Sequence, residues 1–279
     1  MILLPLAPVR GRVRAAVLPL LAVLVLVAAC ADDEKPEYVE RPVEELYNTA
    51  VDLLEEDEYA AAAMAFDEVE RQHPYSQWAT RAQLMAAYAH YEADEYDEAI
   101  IAADRFIQLH PGHRDVAYAY YLIALSYYEQ ISDVQRDQRM TQLALGALDE
   151  VVKRFPGTDY ARDAQLKIDL AYDHLAGKEM AIGRFYLKRG DYVAAINRFR
   201  TVIERYQTTS HVPEALHRLT EAYLKLGVVV EAQAAAAVLG HNYPGSPWYE
   251  DSYALLVRHQ LVPADNDDSW ISRAWGSVF

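Results

Sequence analysis

The feature that most constrains this chain is a turn that recurs along it. Asp57-Glu58-Tyr59-Ala60-Ala61-Ala62 is matched by Asp94-Glu95-Tyr96-Asp97-Glu98-Ala99, and again by Arg189-Gly190-Asp191-Tyr192-Val193-Ala194-Ala195. Each is a short turn and a helix start, with a Tyr that packs and a small Ala three places later. Pro74 follows Tyr59 by fifteen residues, in His73-Pro74, and Pro111 follows Tyr96 by fifteen, in His110-Pro111. Phe155-Pro156 and Tyr243-Pro244 close two more units. A proline after the last turn stops a helix, and the residue before it is pushed out of the helical region. Successive prolines are 37, 45 and 88 residues apart. The third unit therefore carries an insertion, and the last span holds two units with an unmarked boundary near Tyr206-Gln207-Thr208.

Five helix pairs of about 34 residues are the pattern of tetratricopeptide repeats. The expected fold is all-α, a superhelical solenoid of five such pairs. Small residues stand where paired helices must approach: Ala50 with Ala62, Ala87 with Ala99, Gly183 with Ala195. Leu53 with Phe66 and Tyr186 with Phe199 fill the gaps between them. Stacked pairs make a concave inner face lined by the first helix of each pair. Tyr47, Gln83, Tyr88, Tyr91, Tyr118 and Tyr121 are first-helix candidates for that face. Tyrosine offers large contact area with a polar handle, which suits a binding surface.

The N-terminus sets the location. Arg10, Arg12 and Arg14 precede an apolar run over residues 15–27, which ends in Val27-Ala28-Ala29-Cys30. A basic start, a short apolar run and small residues describe a secretory signal peptide, here 1–29. The run contains Pro19 and is too short to span a bilayer. Cys30 is the single cysteine of the chain. Its setting resembles a bacterial lipobox, in which the Cys becomes the lipidated N-terminus. No cofactor is expected beyond covalent diacylglycerol and N-acyl lipid on Cys30, because stable anchoring takes more than one acyl chain. Ala31 rather than Asp follows Cys30, which resembles an outer-membrane address. Residues 30–42 are charged, carry Pro36 and Pro42, and are expected to form a flexible tether.

Losing 1–29 removes three Arg and no acid, so the net charge moves from −16 to −19. Such a surface argues against nucleic acid or anionic lipid as the main ligand. No catalytic arrangement is legible. Gly-x-Ser-x-Gly and His-Glu-x-x-His are absent, and Gly177-Lys178 lacks the glycine spacing of a phosphate loop. His73 and His110 occupy one repeat position and suit helix C-termini. His110 and His113 straddle Pro111-Gly112 and make a poor metal pair. The chain is expected to be neither an enzyme nor a metal protein.

Several segments carry a family likeness over residues 43–244. They are His73-Pro74-Tyr75-Ser76 running to Gln83-Leu84 and Ala87-Tyr88-Ala89-His90-Tyr91; Asp104-Arg105-Phe106-Ile107-Gln108-Leu109-His110-Pro111; the insertion Asp133-Val134-Gln135-Arg136-Asp137-Gln138; and Gly183-Arg184-Phe185-Tyr186-Leu187-Lys188-Arg189-Gly190 continuing to Ala195-Ile196-Asn197-Arg198-Phe199. In these the chain resembles the BamD family of outer-membrane assembly lipoproteins, in its alphaproteobacterial form. The resemblance implies a lipid-anchored subunit, on the periplasmic side of the outer membrane, of the machine that inserts β-barrel proteins. It implies that the C-terminal repeats, 112–259, grip the periplasmic domains of the barrel subunit BamA, with Arg198 at the contact and Arg189 and Asn197 beside it. It implies that repeats 1 and 2, residues 43–111, face unfolded outer-membrane β-barrel proteins, for which Tyr75, Tyr88 and Tyr91 are the groove candidates. Other assembly lipoproteins and, through the lipid, the inner leaflet of the outer membrane are further expected partners. The alternative is a repeat lipoprotein that organises peptidoglycan or cell-envelope machinery.

Residues 260–279 leave the repeat pattern. After an acidic linker, Trp270, Ile271, Ala274, Trp275, Val278 and Phe279 fall at helical spacing, with Ser269 placed to cap. Such a helix has three possible seats: the last repeat, a partner groove or the membrane interface.

Overall fold

The computed structural model describes residues 40–132 and 137–276. The signal peptide, Cys30, most of the tether, Asp133-Val134-Gln135-Arg136 of the insertion, and Val278 and Phe279 lie outside the described residues.

Twelve helices are described: α1 (Val43–Glu55), α2 (Tyr59–Gln72), α3 (Gln77–Glu92), α4 (Tyr96–Leu109), α5 (Val116–Glu129), α6 (Arg139–Arg154), α7 (Asp159–Arg189), α8 (Tyr192–Arg205), α9 (Val212–Leu226), α10 (Val229–Asn242), α11 (Pro247–Arg258) and α12 (Trp270–Gly276). No strand occurs among the described residues. The five expected pairs are α1–α2, α3–α4, α5–α6, α7–α8 and α9–α10. From α1 to α11 each helix packs on its neighbours in sequence, and each first helix also touches the first helix of the next repeat. That nearest-neighbour pattern is the solenoid.

The recurring turn has a local cause. Asp57 and Asp94 adopt left-handed backbone, each with φ 61°. The following tyrosine donates its hydroxyl back to that Asp, Tyr59 to Asp57 at 2.6 Å and Tyr96 to Asp94 at 2.7 Å. An aspartate tolerates this conformation better than most residues do. In the last two pairs Gly190 (φ 81°) and Gly227 (φ 76°) take the place without a Cβ penalty. The far ends of the second helices are also alike. His73, His110, Phe155, Tyr206 and Tyr243 all leave the helix near φ −130°, ψ 50°. Tyr206 does so without a proline, at the boundary the sequence left unmarked.

The small-residue pairs meet as expected. Ala50, Ala62, Ala87, Ala99 and Ala195 are fully buried, as are Phe66 and Phe199. A Cβ on Gly183 would lie 2.4 Å from the Phe199 ring, so here only glycine lets the ring sit against the helix.

Helix α7 is shared between two of the cores that run along the array. Ala164 and Ile168 of that helix join the core of α5 and α6, whereas Ala176 and Met180 join a separate core with α8, α9, α10 and the tail. By repeat spacing a turn is due at residues 175–177. The segment Leu170-Ala171-Tyr172-Asp173-His174-Leu175-Ala176 holds no proline, and Gly177 is buried within the helix instead of ending it, so α7 runs on for 31 residues.

The tail takes the first of its three possible seats. Helix α12 lies on α8 and α10, with Ile271 and Trp275 buried. Trp270 Nε1 donates to the Tyr223 hydroxyl at 2.8 Å, and the Arg200 guanidinium lies over the Trp270 ring. Ser269 Oγ accepts from the Ile271 N–H at 3.1 Å and donates to Glu231 at 2.6 Å. α11 is fastened similarly. His217 Nδ1 of α9 shares a hydrogen bond with Ser252 Oγ at 2.8 Å, and Gly240 of α10 admits the Tyr249 ring.

His217 gives a pH prediction. Burial, and then the charge of Arg218, hold its protonation below the ordinary range near 6.5. The folded state therefore binds fewer protons than the unfolded one. Stability is full above about pH 6.5 and falls as pH drops through the depressed folded value, with a slope of at most about 1.4 kcal/mol per pH unit. Urea unfolding at pH 7.5 and 5.5 should show a smaller difference between the two pH values in His217→Gln than in the parent. Equal differences would place the sensitivity elsewhere.

Candidate partner and substrate faces

Two faces hold most of the residues singled out from sequence. On the inner face, first helices α3, α5 and α7 lie side by side. Tyr88 and Tyr91 of α3 are half-buried, with Tyr118 and Tyr121 of α5 beside them. The Tyr118 and Tyr121 rings stack at 5.6 and 5.2 Å on Tyr160 of α7. The Tyr121 hydroxyl donates to Asp163, and the charges of Glu92 and Glu129 act on Tyr88 and Tyr91. Burial first, then the acids, push Tyr91 up to about 12 and raise Tyr121; Tyr118 is raised by burial and then by its neighbours Tyr88 and Tyr160. The phenols stay protonated, so this surface consists of aromatic rings with an acidic rim. Asp163 is raised by burial, but hydrogen bonds from Lys167 and Tyr121 and the charge of Lys167 outweigh that and keep it below the usual carboxylate range. Nearer the N-terminus the same face opens into a cleft of about 520 Å³ lined by Tyr47, Arg81, Leu84, His110, His113 and Arg114.

Two inner-face candidates sit elsewhere. Tyr75 is fully exposed, at 101 %, in the loop between α2 and α3. At 1.5 Å of rise per residue it lies roughly 20 Å along α3 from Tyr88, so it does not share a surface with Tyr88 and Tyr91. A tyrosine beside a closing proline was chosen by residue type, and the helix start at Gln77 puts it outside the groove. Gln83 is buried and bonds His110 Nε2 at 2.9 Å, so it ties α3 to the end of α4 within repeat 2 instead of facing a ligand. Arg81, Glu129 and Asp163 were not singled out from sequence. Only the stacking of first helices brings them to the tyrosines.

The second face is built by α7 and α8. Arg198 Nη1 donates to Glu179 Oε2 at 3.2 Å, with the Arg side chain 42 % exposed. Glu204 and Asp191, the two acids nearest Arg198 in sequence, are engaged by Arg200 at 2.7 Å and Arg189 at 3.3 Å. Arg189 also lies over the exposed Phe185 ring, 5.4 Å from its centre. Asn197 is exposed on α8. Glu179 holds Arg198 from one side and leaves its other donors at the surface. An exposed ion pair contributes little to stability, and a half-exposed, pre-oriented guanidinium can take a second carboxylate in bidentate fashion.

A family model described as an outer membrane lipoprotein, YfiO, matches residues 39–239. The outer membrane protein assembly factor BamD of Caulobacter vibrioides is 55 % identical over 87 % of this chain and 81 % of its own length. BamD of Rickettsia prowazekii is 47 % identical over 86 % and 96 %, and that of Neisseria meningitidis serogroup A 36 % over 74 % and 81 %.

The chain belongs to the BamD family of outer-membrane lipoproteins. Caulobacter and Rickettsia, the relatives at 55 and 47 %, are alphaproteobacteria, in line with the form named from sequence. Among solved structures, the TPR2AB domain of yeast Sti1 aligns at TM-score 0.41 and 14 % identity, over 78 % of this chain and 84 % of that one. The repeat assignment rests on the helix pairs themselves. In a BamD-family member both faces described above lie within the matched residues.

Proposed function

We propose that this protein is the lipid-anchored, periplasm-facing subunit of the outer-membrane β-barrel assembly complex, working as a non-enzymatic binding scaffold. Its kinship with BamD assembly factors is the observation that carries the reading. The α7–α8 face, with Arg198 at its centre and Arg189 and Asn197 beside it, binds the periplasmic domains of the barrel subunit BamA. The inner face around Tyr88 and Tyr91 receives unfolded β-barrel chains, whose alternating aromatic residues can stack on tyrosine without demanding one sequence. Cys30 carries the diacylglycerol and N-acyl chains that hold the protein at the inner leaflet, and other assembly lipoproteins join the complex.

Two measurements test this. Purification of the tagged protein from detergent-solubilised outer membranes should bring down a large barrel subunit. Recovery of cell-wall enzymes in its place would support a peptidoglycan scaffold and overturn the assembly reading. Cys30→Ser should move nearly all of the protein from the membrane to the soluble periplasmic fraction, because the lipid supplies the anchor. Retention at the membrane would sink the lipid-anchor assignment.

A further inference from the structure

One pair of residues breaks a rule the other repeats keep. Ten residues after the closing prolines Pro74, Pro111 and Pro156 stand Leu84, Tyr121 and Leu166; fourteen after them stand Tyr88, Leu125 and Leu170. These are equivalent places on three first helices. Ser76 and Thr158 fix the register, since each caps its helix by accepting the N–H three residues on. In repeat 2, Leu84 and Tyr88 pack into a core shared with α5. In repeat 3, Tyr121 is covered by α7 through Tyr160 and Asp163. On α7, Leu166 is 64 % exposed and Leu170 55 %.

The cause is the missing turn. A first helix at this point would normally be followed by its second helix and then by the next first helix. Because α7 runs on, its first half packs backwards on α5 and α6 and meets the following repeat only near its end, where Tyr172 stacks on Tyr206 and Asp173 accepts from Ser210. Asp169 marks the same loss. It stands where Ala87 and Ala124 meet the core in the two preceding repeats, and it is exposed. Ahead of the contacts at Tyr172 and Asp173, the side of α7 that carries Leu166 and Leu170 stays exposed, so the helix presents two uncovered leucines one turn apart.

We propose that the Leu166–Leu170 face of α7 is a docking site for an amphipathic helix of a partner protein, one with an apolar stripe and basic flanks. The occupant follows from the register and the charge. In both preceding repeats the element on this position is a helix. Around the leucines, Lys167 is engaged by Asp163 at 2.8 Å. Asp169 is exposed and Asp173 half-buried on the same side, the latter facing His211 and accepting from Ser210. The rim is negative, on a chain of net charge −16. A helix laid in a groove is read through residues at i, i+3, i+4 and i+7, a spacing that matches the Leu166–Leu170 pair.

The full mature chain in detergent, titrated into a fluorescein-labelled Leu/Lys amphipathic helix about four turns long, tests this by anisotropy. A proline-interrupted peptide of the same composition is the comparison. Leu166→Gln/Leu170→Gln leaves every charge in place, and its melting temperature should match the parent because both side chains are exposed. Saturable binding of the helix, roughly tenfold weaker to the double variant and absent for the proline-interrupted peptide, is the expected result. Equal affinity for parent and double variant would reduce the contact to charge attraction alone and overturn the proposal. Equal binding of the interrupted peptide would mean that the face takes extended chain, and no saturable binding would mean that the exposed pair is not a docking site. Either outcome also overturns it.

Discussion

Phe199→Ala is expected to lower stability by about 3–5 kcal/mol, and to do so in only half of the molecule. Phe199 is fully buried in the core that runs from Ala176 to Trp275, and its ring lies against Gly183. Removing it leaves a cavity at the closest approach of α7 and α8. The N-terminal cores around Phe66, Phe106 and Leu148 do not contain it. Repeat arrays owe their stability to each unit and its neighbours, so damage in one core can leave the cores beyond its neighbours folded. Thermal unfolding should become biphasic, with hydrogen exchange accelerated beyond residue 176 and little changed before 168. A single cooperative transition, shifted as a whole, would show that α7 couples the two cores more tightly than their separation suggests. The same contact yields a paired test. Gly183→Ala would add about 1 kcal/mol of helix propensity at an open site, yet its Cβ would meet the Phe199 ring at 2.4 Å, so a net loss is expected. Phe199→Leu in the same chain should recover part of that loss, because the two positions share one space.

Arg198→Glu should weaken binding of the barrel subunit's periplasmic domains by roughly 30-fold or more, about 2 kcal/mol, in keeping with an arginine at the centre of a contact. The physical argument rests on Glu179. In the parent that acid orients the guanidinium at 3.2 Å; in the variant two carboxylates face each other beside a partner acid. The stability cost should stay below about 1 kcal/mol, since the pair is partly exposed. Glu179→Gln separates the two possible roles. If Arg198 binds the partner, Glu179→Gln keeps most of the affinity while Arg198→Glu loses it. If the pair only joins α7 to α8, both variants lose the same small amount of stability and neither changes binding measured by calorimetry.

Much of this molecule was legible before any coordinates. The turn-and-proline spacing located all five helix pairs, because a proline and a left-handed Asp or Gly act within a few residues and leave a mark in every repeat. The alanines and Gly183 at the helix crossings were legible for the same reason. The family likeness was carried by contiguous residues. At the tail, the helical spacing after Ser269 was legible, and its seat on α8 and α10 was not.

The tertiary structure decided what depends on neighbours far apart in the chain. Glu179 became the partner of Arg198 through a contact between helices, whereas the acids nearest Arg198 in sequence turned to Arg189 and Arg200. Tyr75 left the groove and Gln83 turned inward because exposure depends on where a helix begins and what covers it. The length of α7 is the largest such case. At residues 175–177 the sequence offers Gly177, a residue that elsewhere in this chain marks a turn, and only burial in the packed array keeps it helical. The consequence, one long helix shared by two cores with Leu166 and Leu170 left uncovered, shows only when the repeats are stacked in space.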